Sequence, residues 1–215
     1  ALKSFDIACE AAMDFAERHK VGQRLEYVAF HDVLTGLPNR TLVTDRLGQA
    51  LALASRSRQL VAICYLNLDG FKPINDGHVR QTGDAVLVSV GQRLQGALRQ
   101  GDSVARVGGD EFALILTGLN SSHEGEEAAR RILGAITEPF ESGGHRLHLS
   151  ASMGLTIAPL DPGGPDALLH HAHQAMFQAK SDRKGTIHLF DPVQDQQERL
   201  RRQTRQEFAQ ALRLD

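Results

Sequence analysis

The chain has 215 residues, a length suited to one compact domain with extensions and short for two full domains. Its 41% hydrophobic and 23% charged residues are the proportions of a soluble globular protein and exclude an intrinsically disordered chain. A formal net charge of −2 exerts no global pull on nucleic acid or an anionic membrane, so any phosphate-binding surface has to be local.

Two cysteines, Cys9 and Cys64, are too few and too far apart for a disulfide framework or a zinc site, which points to a reducing, cytoplasmic compartment. No apolar run approaches the ~20 residues that cross a bilayer, and no secretory signal is visible. Ala1 rather than Met stands first. The expectation is a piece of a multidomain protein that is cytoplasmic, or the cytoplasmic part of a membrane-attached one.

Phe5, Ala8, Ala12 and Phe15 recur at spacings of three and four, predicting an amphipathic helix. Residues 1–29 accordingly read as a helical linker, either docked on the domain or arriving from an upstream sensor module. Gly36 and Pro38-Asn39 mark a turn, after which Val43, Leu47, Ala50, Leu51 and Ala54 predict the buried face of a helix. Gln59 to Leu68 is a short apolar run that suits a buried strand. A polar stretch from Asp69 to Gly83 leads into a helix with Val86, Leu87, Val90, Leu94, Ala97 and Leu98 inward.

Ser103–Val107 and Glu111–Thr117 predict two strands folded about Gly108-Gly109 as a β-hairpin. A helix follows on Ala128, Ala129, Ile132, Leu133 and Ile136. Alternation from His145 to Pro159 predicts one half-exposed strand. Pro165 opens a helix as a first-turn proline can, with Leu168, Leu169, Ala172, Ala175, Met176 and Ala179 inward. Thr186 to Phe190 is a last short strand, and residues 192–215 read as a polar helical connector. Strands alternate with helices yet one pair is a hairpin, so the sheet has to be mixed.

Two adjacent acids after Gly108-Gly109 put carboxylates at a hairpin tip, where backbone can approach a ligand without Cβ obstruction. Alone, such acids are ordinary solvated turn residues. Upstream, Asn67, Asp69 and Lys72 lie at the end of a buried strand and in the turn that follows. Nucleotidyl transfer needs oxygen ligands for Mg²⁺ and cations on the triphosphate, and the two segments supply both if neighbouring strands unite them.

The chain resembles the GGDEF diguanylate cyclase family over residues 30–191, through DVLTGLPNR, LNLDGFKPIND, TGDAVL, RQGDSVARVGGDEF, SASMGLTIA, AMFQAK and LFD in matching order. The resemblance implies an α/β (α+β) fold: a central mixed five-stranded sheet wrapped by helices, akin to the nucleotide cyclase and polymerase palm architecture, with Gly108 to Phe112 on the hairpin. It implies condensation of two GTP into cyclic di-GMP, a bacterial second messenger, with release of pyrophosphate. The implied cofactor is Mg²⁺ (or Mn²⁺). The implied partners are GTP, cyclic di-GMP, a second copy for catalysis and adjacent sensor and EAL domains, with no nucleic acid.

By match of position, the resemblance assigns Asp110 and Glu111 to catalysis, with Asn67, Leu68 and Asp110 at the metal. Phe71, Lys72, Lys180 and Lys184 fall around the triphosphate, and Asn75 and Asp84 at the guanine edge, where an amide and a carboxylate suit its oxygen and N–H groups. Arg99 and Asp102 match an inhibitory product site, with Arg130 as a secondary arginine.

Two departures bear on turnover. The family's Asp-x-Asp at the strand end is Asn67-Leu68-Asp69, and an amide in place of a carboxylate weakens Mg²⁺ binding. The family's Gly-His, expected at Val79 and Arg80, sits two residues early at Gly77-His78. The alternative function is therefore a regulatory domain that binds GTP or cyclic di-GMP and controls an adjacent EAL phosphodiesterase. His170, His171 and His173 lack an acid or cysteine at ligand spacing and read as a solvated or interface helix face.

Overall fold

A computed structural model describes residues 27–71, 80–142 and 145–195. The amphipathic segment around Phe5 and the connector beyond Asp195 lie outside the described residues, as do residues 72–79 with Lys72 and Asn75. Leu60–Asp69 forms β1, a ten-residue strand buried almost throughout. Ser103–Gly108 (β2) and Glu111–Leu119 (β3) form the expected hairpin. Phe140–Ser142 (β4) and His145–Leu147 (β5) make a small antiparallel ribbon, and Ser150–Ala158 (β6) and Ile187–Leu189 (β7) complete the strands. Among the described residues the main sheet is five-stranded, in the order β2-β3-β1-β6-β7, and of its neighbouring pairs only β6 and β7 run parallel. The mixed sheet read from the sequence is the sheet observed.

Among the described residues, four long helices cover it: α1 (Arg40–Ser57), α2 (Arg80–Ala97), α3 (Ser122–Thr137) and α4 (Pro165–Asp182). Asn39 starts α1 by accepting the Leu42 N–H, and Ser121 starts α3 by accepting that of Glu124, each satisfying a donor that the first turn leaves open. Pro165 opens α4 where its missing N–H costs nothing.

Period-two alternation along β1 assigns its residues to two cores. Ala62, Cys64, Leu66 and Leu68 pack with α2 and α3. Val61, Ile63 and Tyr65 pack with Val43 and Leu47 of α1 and Leu168, Ala172 and Met176 of α4. Each fully buried Leu, Ile or Met contributes on the order of 1.5–3 kcal/mol. The same alternation turns Asn67 and Asp69 toward the α1/α4 side, so the polar end of β1 emerges beside α4.

The half-exposed strand expected from His145 to Pro159 is instead two elements, and β6 is buried on both faces. Its alternation separates large from small residues, not buried from wet ones. Ala151, Met153, Leu155 and Ile157 fill the α2/α3 core, whereas the alternate positions Ser152, Gly154 and Thr156 allow α4 to approach. A Cβ on Gly154 would lie 1.9 Å from the Ala172 carbonyl oxygen and 2.2 Å from the Met176 nitrogen. β4 was not foreseen, and α2 begins at Arg80, inside the stretch expected to be a polar turn.

Candidate active site

The hairpin tip is held from two sides. Gly109 takes φ +52°, a left-handed conformation that favours glycine, and one extra residue in β2 bends the ladder between Arg106 and Gly108. Arg106 grips the Gly109 carbonyl oxygen through Nε and Nη2 at 3.0 and 2.7 Å. Its Nη1 reaches both carboxylate oxygens of Asp32 at 3.0 and 3.1 Å, and Asp32 also accepts from the Thr35 N–H and hydroxyl. Burial pushes the Asp32 carboxyl up, but the hydrogen bonds from Thr35 and Arg106 outweigh it and hold the group below the usual range. On the other side the Leu68 N–H donates to the Asp110 carbonyl, so β1 continues its ladder onto the tip.

This places the end of β1 beside both acids. Asn67 stands opposite Glu111 in the sheet, and its Nδ2 donates to Asp110 Oδ1 at 3.1 Å. Its Oδ1 accepts from the Lys180 ammonium, on the last turn of α4, at 2.5 Å. A cation, a neutral amide and a carboxylate thus run in one chain across three elements. Glu111 is fixed separately. The Tyr65 hydroxyl donates to its Oε2 at 2.8 Å, and His173 Nε2 stands 3.7 Å from its Oε1. Burial pushes the Tyr65 phenol well above its ordinary value, and the Glu111 hydrogen bond and charge add to the shift. Tyr65 is therefore a neutral donor at any ordinary pH.

Asp69 faces the same side but is engaged elsewhere, accepting from Ser150, from Ser152 at 2.9 and 3.1 Å, and from the Gly185 N–H. It cannot replace a carboxylate at position 67. The Phe71 ring and the Leu68 side chain are buried in the α2/α3 core. Asp84 is half-buried on α2, and Lys184 is exposed on the turn between α4 and β7. Among the described residues, no group of three or more His, Cys, Asp and Glu gathers as a metal cage. The Asp110 carboxylate suits a divalent cation shared with substrate phosphates, since Mg²⁺ is commonly held by one or two carboxylates plus phosphate and water, whereas the Asn67 amide turns its nitrogen to Asp110 and its oxygen to Lys180.

Arg99 and Asp102 lie at the turn after α2. Arg99 is ion-paired with Glu124 of α3 at 3.3 Å. Asp102 accepts the backbone N–H groups of Thr117 and Arg99, which shapes the turn. Arg130 pairs along its own helix with Glu126 at 2.8 Å, and Arg131 lines the cleft with Arg99. Hydrogen bonds from the Asn120 backbone N–H and then Arg99 hold the Glu124 carboxyl below its ordinary value.

The histidines depart from expectation. His171 bonds Asp161, itself bonded by Thr156, and stacks on Phe190 at 4.2 Å. His173 packs against Tyr65 and Phe177 at 4.5 and 4.7 Å beside Glu111. Only His170 of the three is exposed. The acids are distant in sequence, so ligand spacing could not reveal them. Two signals were available: His173 and Lys180 are seven residues apart and share a helix face, and Tyr65 and Asn67 are alternate residues of one strand.

A family model described as diguanylate cyclase, GGDEF domain, matches residues 29–186. Diguanylate cyclase TpbB of Pseudomonas aeruginosa (strain UCBPP-PA14) is 40% identical over 166 residues, covering 77% of this chain and 38% of that protein. Cyclic di-GMP phosphodiesterase PdeR of Escherichia coli K12 is 34% identical over 183 residues, covering 85% of this chain and 27% of PdeR. The chain thus spans about two fifths or less of the length of these relatives. A solved structure comprising only the GGDEF domain of TpbB (YfiN) from P. aeruginosa PAO1 superposes with a TM-score of 0.72 at 39% identity, covering 75% of this chain and 94% of that one. On its hairpin, its sheet order and these matches, the chain belongs to the diguanylate cyclase GGDEF domain family.

Proposed function

We propose that this domain condenses two GTP molecules into cyclic di-GMP, at a rate lowered by Asn67. The observation that carries the reading is the convergence of Asp110 and Glu111 with Asn67 and Lys180 at one end of the sheet. The 3′-oxygen of one GTP bonds to the α-phosphorus of the other, the α–β phosphoanhydride bond breaks, and pyrophosphate leaves with the bonding electrons. The hydroxyl proton passes to solvent. A second such step closes the ring. Lys180 places an ammonium where triphosphate charge accumulates, and Phe71 with Lys72 borders the phosphates. Asn75 and Asp84 read guanine, with Lys184 as an outer phosphate contact.

A divalent cation, Mg²⁺ or Mn²⁺, would be held by Asp110, the Leu68 carbonyl and the Asn67 amide oxygen, the last after the amide turns away from Lys180. When bound, it polarises the α-phosphate and lowers the hydroxyl pKa. Each domain holds one GTP, so the productive species is a two-fold pair of copies facing each other. Product binds at Arg99 and Asp102 once the guanidinium leaves Glu124, with Arg131 better placed than Arg130 to assist. Incubation of the purified domain with GTP and Mg²⁺ or Mn²⁺ yields cyclic di-GMP in a concentration-dependent manner. No product at high protein concentration overturns the reading.

A second reading is a GTP- or cyclic di-GMP-binding regulatory domain of an EAL phosphodiesterase. It is favoured by the amide at position 67, which already occupies Asp110 Oδ1, and by the likeness to PdeR. Asn67→Asp separates the two. A gain in synthesis of about tenfold or more, the scale on which altered metal shells act, marks a metal-site defect. Robust turnover left unaltered by the change removes the regulatory reading.

A further inference from the structure

Tyr65 and His173 belong to no motif through which the chain resembles its family, yet both converge on Glu111. Tyr65 reaches it from two residues before Asn67 on β1, and His173 from two turns before Lys180 on α4. The phenol is buried, and its hydroxyl donates to Glu111 Oε2 at 2.8 Å. The hydroxyl is the donor and the carboxylate oxygen the acceptor. His173 covers the other side: its Nε2 lies 3.7 Å from Oε1, and its ring packs on the Tyr65 and Phe177 rings. Glu111 retains 26% side-chain exposure, so part of it stays open while both oxygens have a neighbour.

A tyrosine that needed only to satisfy a buried hydroxyl could bond any backbone carbonyl. This one bonds the carboxylate beside Asp110, and the helix that delivers Lys180 to Asn67 delivers His173 to the same acid. We propose that Tyr65 and His173 are positioning residues that fix the Glu111 carboxylate for nucleotidyl transfer. The pair holds the acid in one rotamer when the second nucleotide arrives, so the fixed geometry enters kcat and leaves ground-state GTP binding largely untouched. This inference rests on the cyclase reading above, and its test has an arm independent of turnover.

Tyr27 and Tyr65 are the only tyrosines and tryptophan is absent, so in a Tyr27→Phe background the near-ultraviolet spectrum reports Tyr65 alone. A phenol bonded to a carboxylate absorbs at longer wavelength and emits less than one bonded to an amide. Glu111→Gln therefore shifts the Tyr65 band to shorter wavelength and raises its emission. An unchanged spectrum overturns the proposal whether or not the domain makes cyclic di-GMP.

In the kinetic arm, Tyr65→Phe keeps the ring in the core and lowers kcat by roughly ten- to a hundredfold, with KM for GTP within about twofold and the urea midpoint unchanged. His173→Gln, whose amide keeps a polar group beside Glu111, retains more of kcat than His173→Ala. Full kcat in Tyr65→Phe, or a fall that follows stability alone, overturns the proposal. If the unmodified domain makes no cyclic di-GMP, the cyclase reading fails by itself, and the positioning contact stands or falls on the tyrosine spectrum.

Discussion

Replacing Gly154 by alanine adds one methyl group at the tightest contact between the sheet and α4. The new Cβ would sit 1.9 Å from the Ala172 carbonyl oxygen and 2.2 Å from the Met176 nitrogen, roughly 1.5 Å inside ordinary van der Waals contact. The obstructing atoms are helix backbone and cannot rotate aside, so α4 as a unit has to retreat. Its buried face carries Leu168, Leu169, Ala172, Ala175, Met176 and Ala179, so the retreat loosens packing along most of its length. Overpacking a core costs about 1–3 kcal/mol, and a clash with backbone belongs at the upper end. The expected loss is therefore about 3 kcal/mol, or a fall of about 6–12 °C in Tm for a domain of this size. Urea denaturation with a constant m-value measures it. Gly125→Ala is the control: its Cβ meets the Ala62 Cβ at 3.2 Å and the Leu119 Cδ1 at 3.3 Å, and the Leu119 side chain can yield by tenths of an ångström. A Gly154→Ala loss below 1 kcal/mol, or one no larger than that of Gly125→Ala, refutes the argument. Because α4 also carries His173 and Lys180, the cyclase reading has the same variant lose cyclic di-GMP synthesis at temperatures where it remains folded.

Asp32 is held below its unfolded value near 3.9. Its stabilising contribution is therefore present above that pH and is lost as pH falls through the lower folded value. Urea midpoints of the unmodified domain and Asp32→Asn differ at pH 6 and converge toward pH 2.5; a difference constant with pH contradicts the assignment. Burial pushes the Cys64 thiol up to about 12, with a smaller contribution from Asp102. In a Cys9→Ser background, Ellman's reagent at pH 8 leaves the native protein unlabelled and reacts fully in urea; rapid native labelling shows that the thiolate is accessible.

The sheet was legible because its strands obey patterns that chemistry imposes locally. Gln59 to Leu68 is too apolar and too short to be anything but buried, and Gly108-Gly109 between two apolar runs forces a hairpin. Where two helices cover a strand, however, alternation loses its meaning. Ser152 and Thr156 look solvent-facing in sequence, yet they face α4. The site was legible only through motif. Asp110 and Asn67 are 43 residues apart and Lys180 lies 113 beyond Asn67, so no local pattern pairs them. The partnership of Arg106 with Asp32, across 74 residues, was missed for the same reason.

The amide at position 67 has a consequence for metal dependence that follows from its two bonds. Its Nδ2–H meets Asp110 Oδ1 at 3.1 Å, and its oxygen meets the Lys180 ammonium. Both polar ends of the amide are therefore paired, one with Asp110 and the other with Lys180. In Asn67→Asp the donor becomes a second acceptor facing Asp110 at hydrogen-bonding distance. Two carboxylates that close cannot both ionise comfortably unless a cation separates them. Lys180 relieves one side only. Without metal the variant loses the amide bond, about 1 kcal/mol, and adds repulsion between the acids. With Mg²⁺ the attraction of the ion to both carboxylates offsets their repulsion, and binding stabilises the folded state by an amount that grows with the logarithm of free Mg²⁺ above its Kd. The thermal midpoint of Asn67→Asp should thus lie below that of the unmodified domain in EDTA and rise more steeply with Mg²⁺. Equal metal responses of the two proteins would show that position 67 does not govern the ion. A steeper rise without any gain in cyclic di-GMP would separate metal binding from turnover and direct attention to the geometry of Glu111.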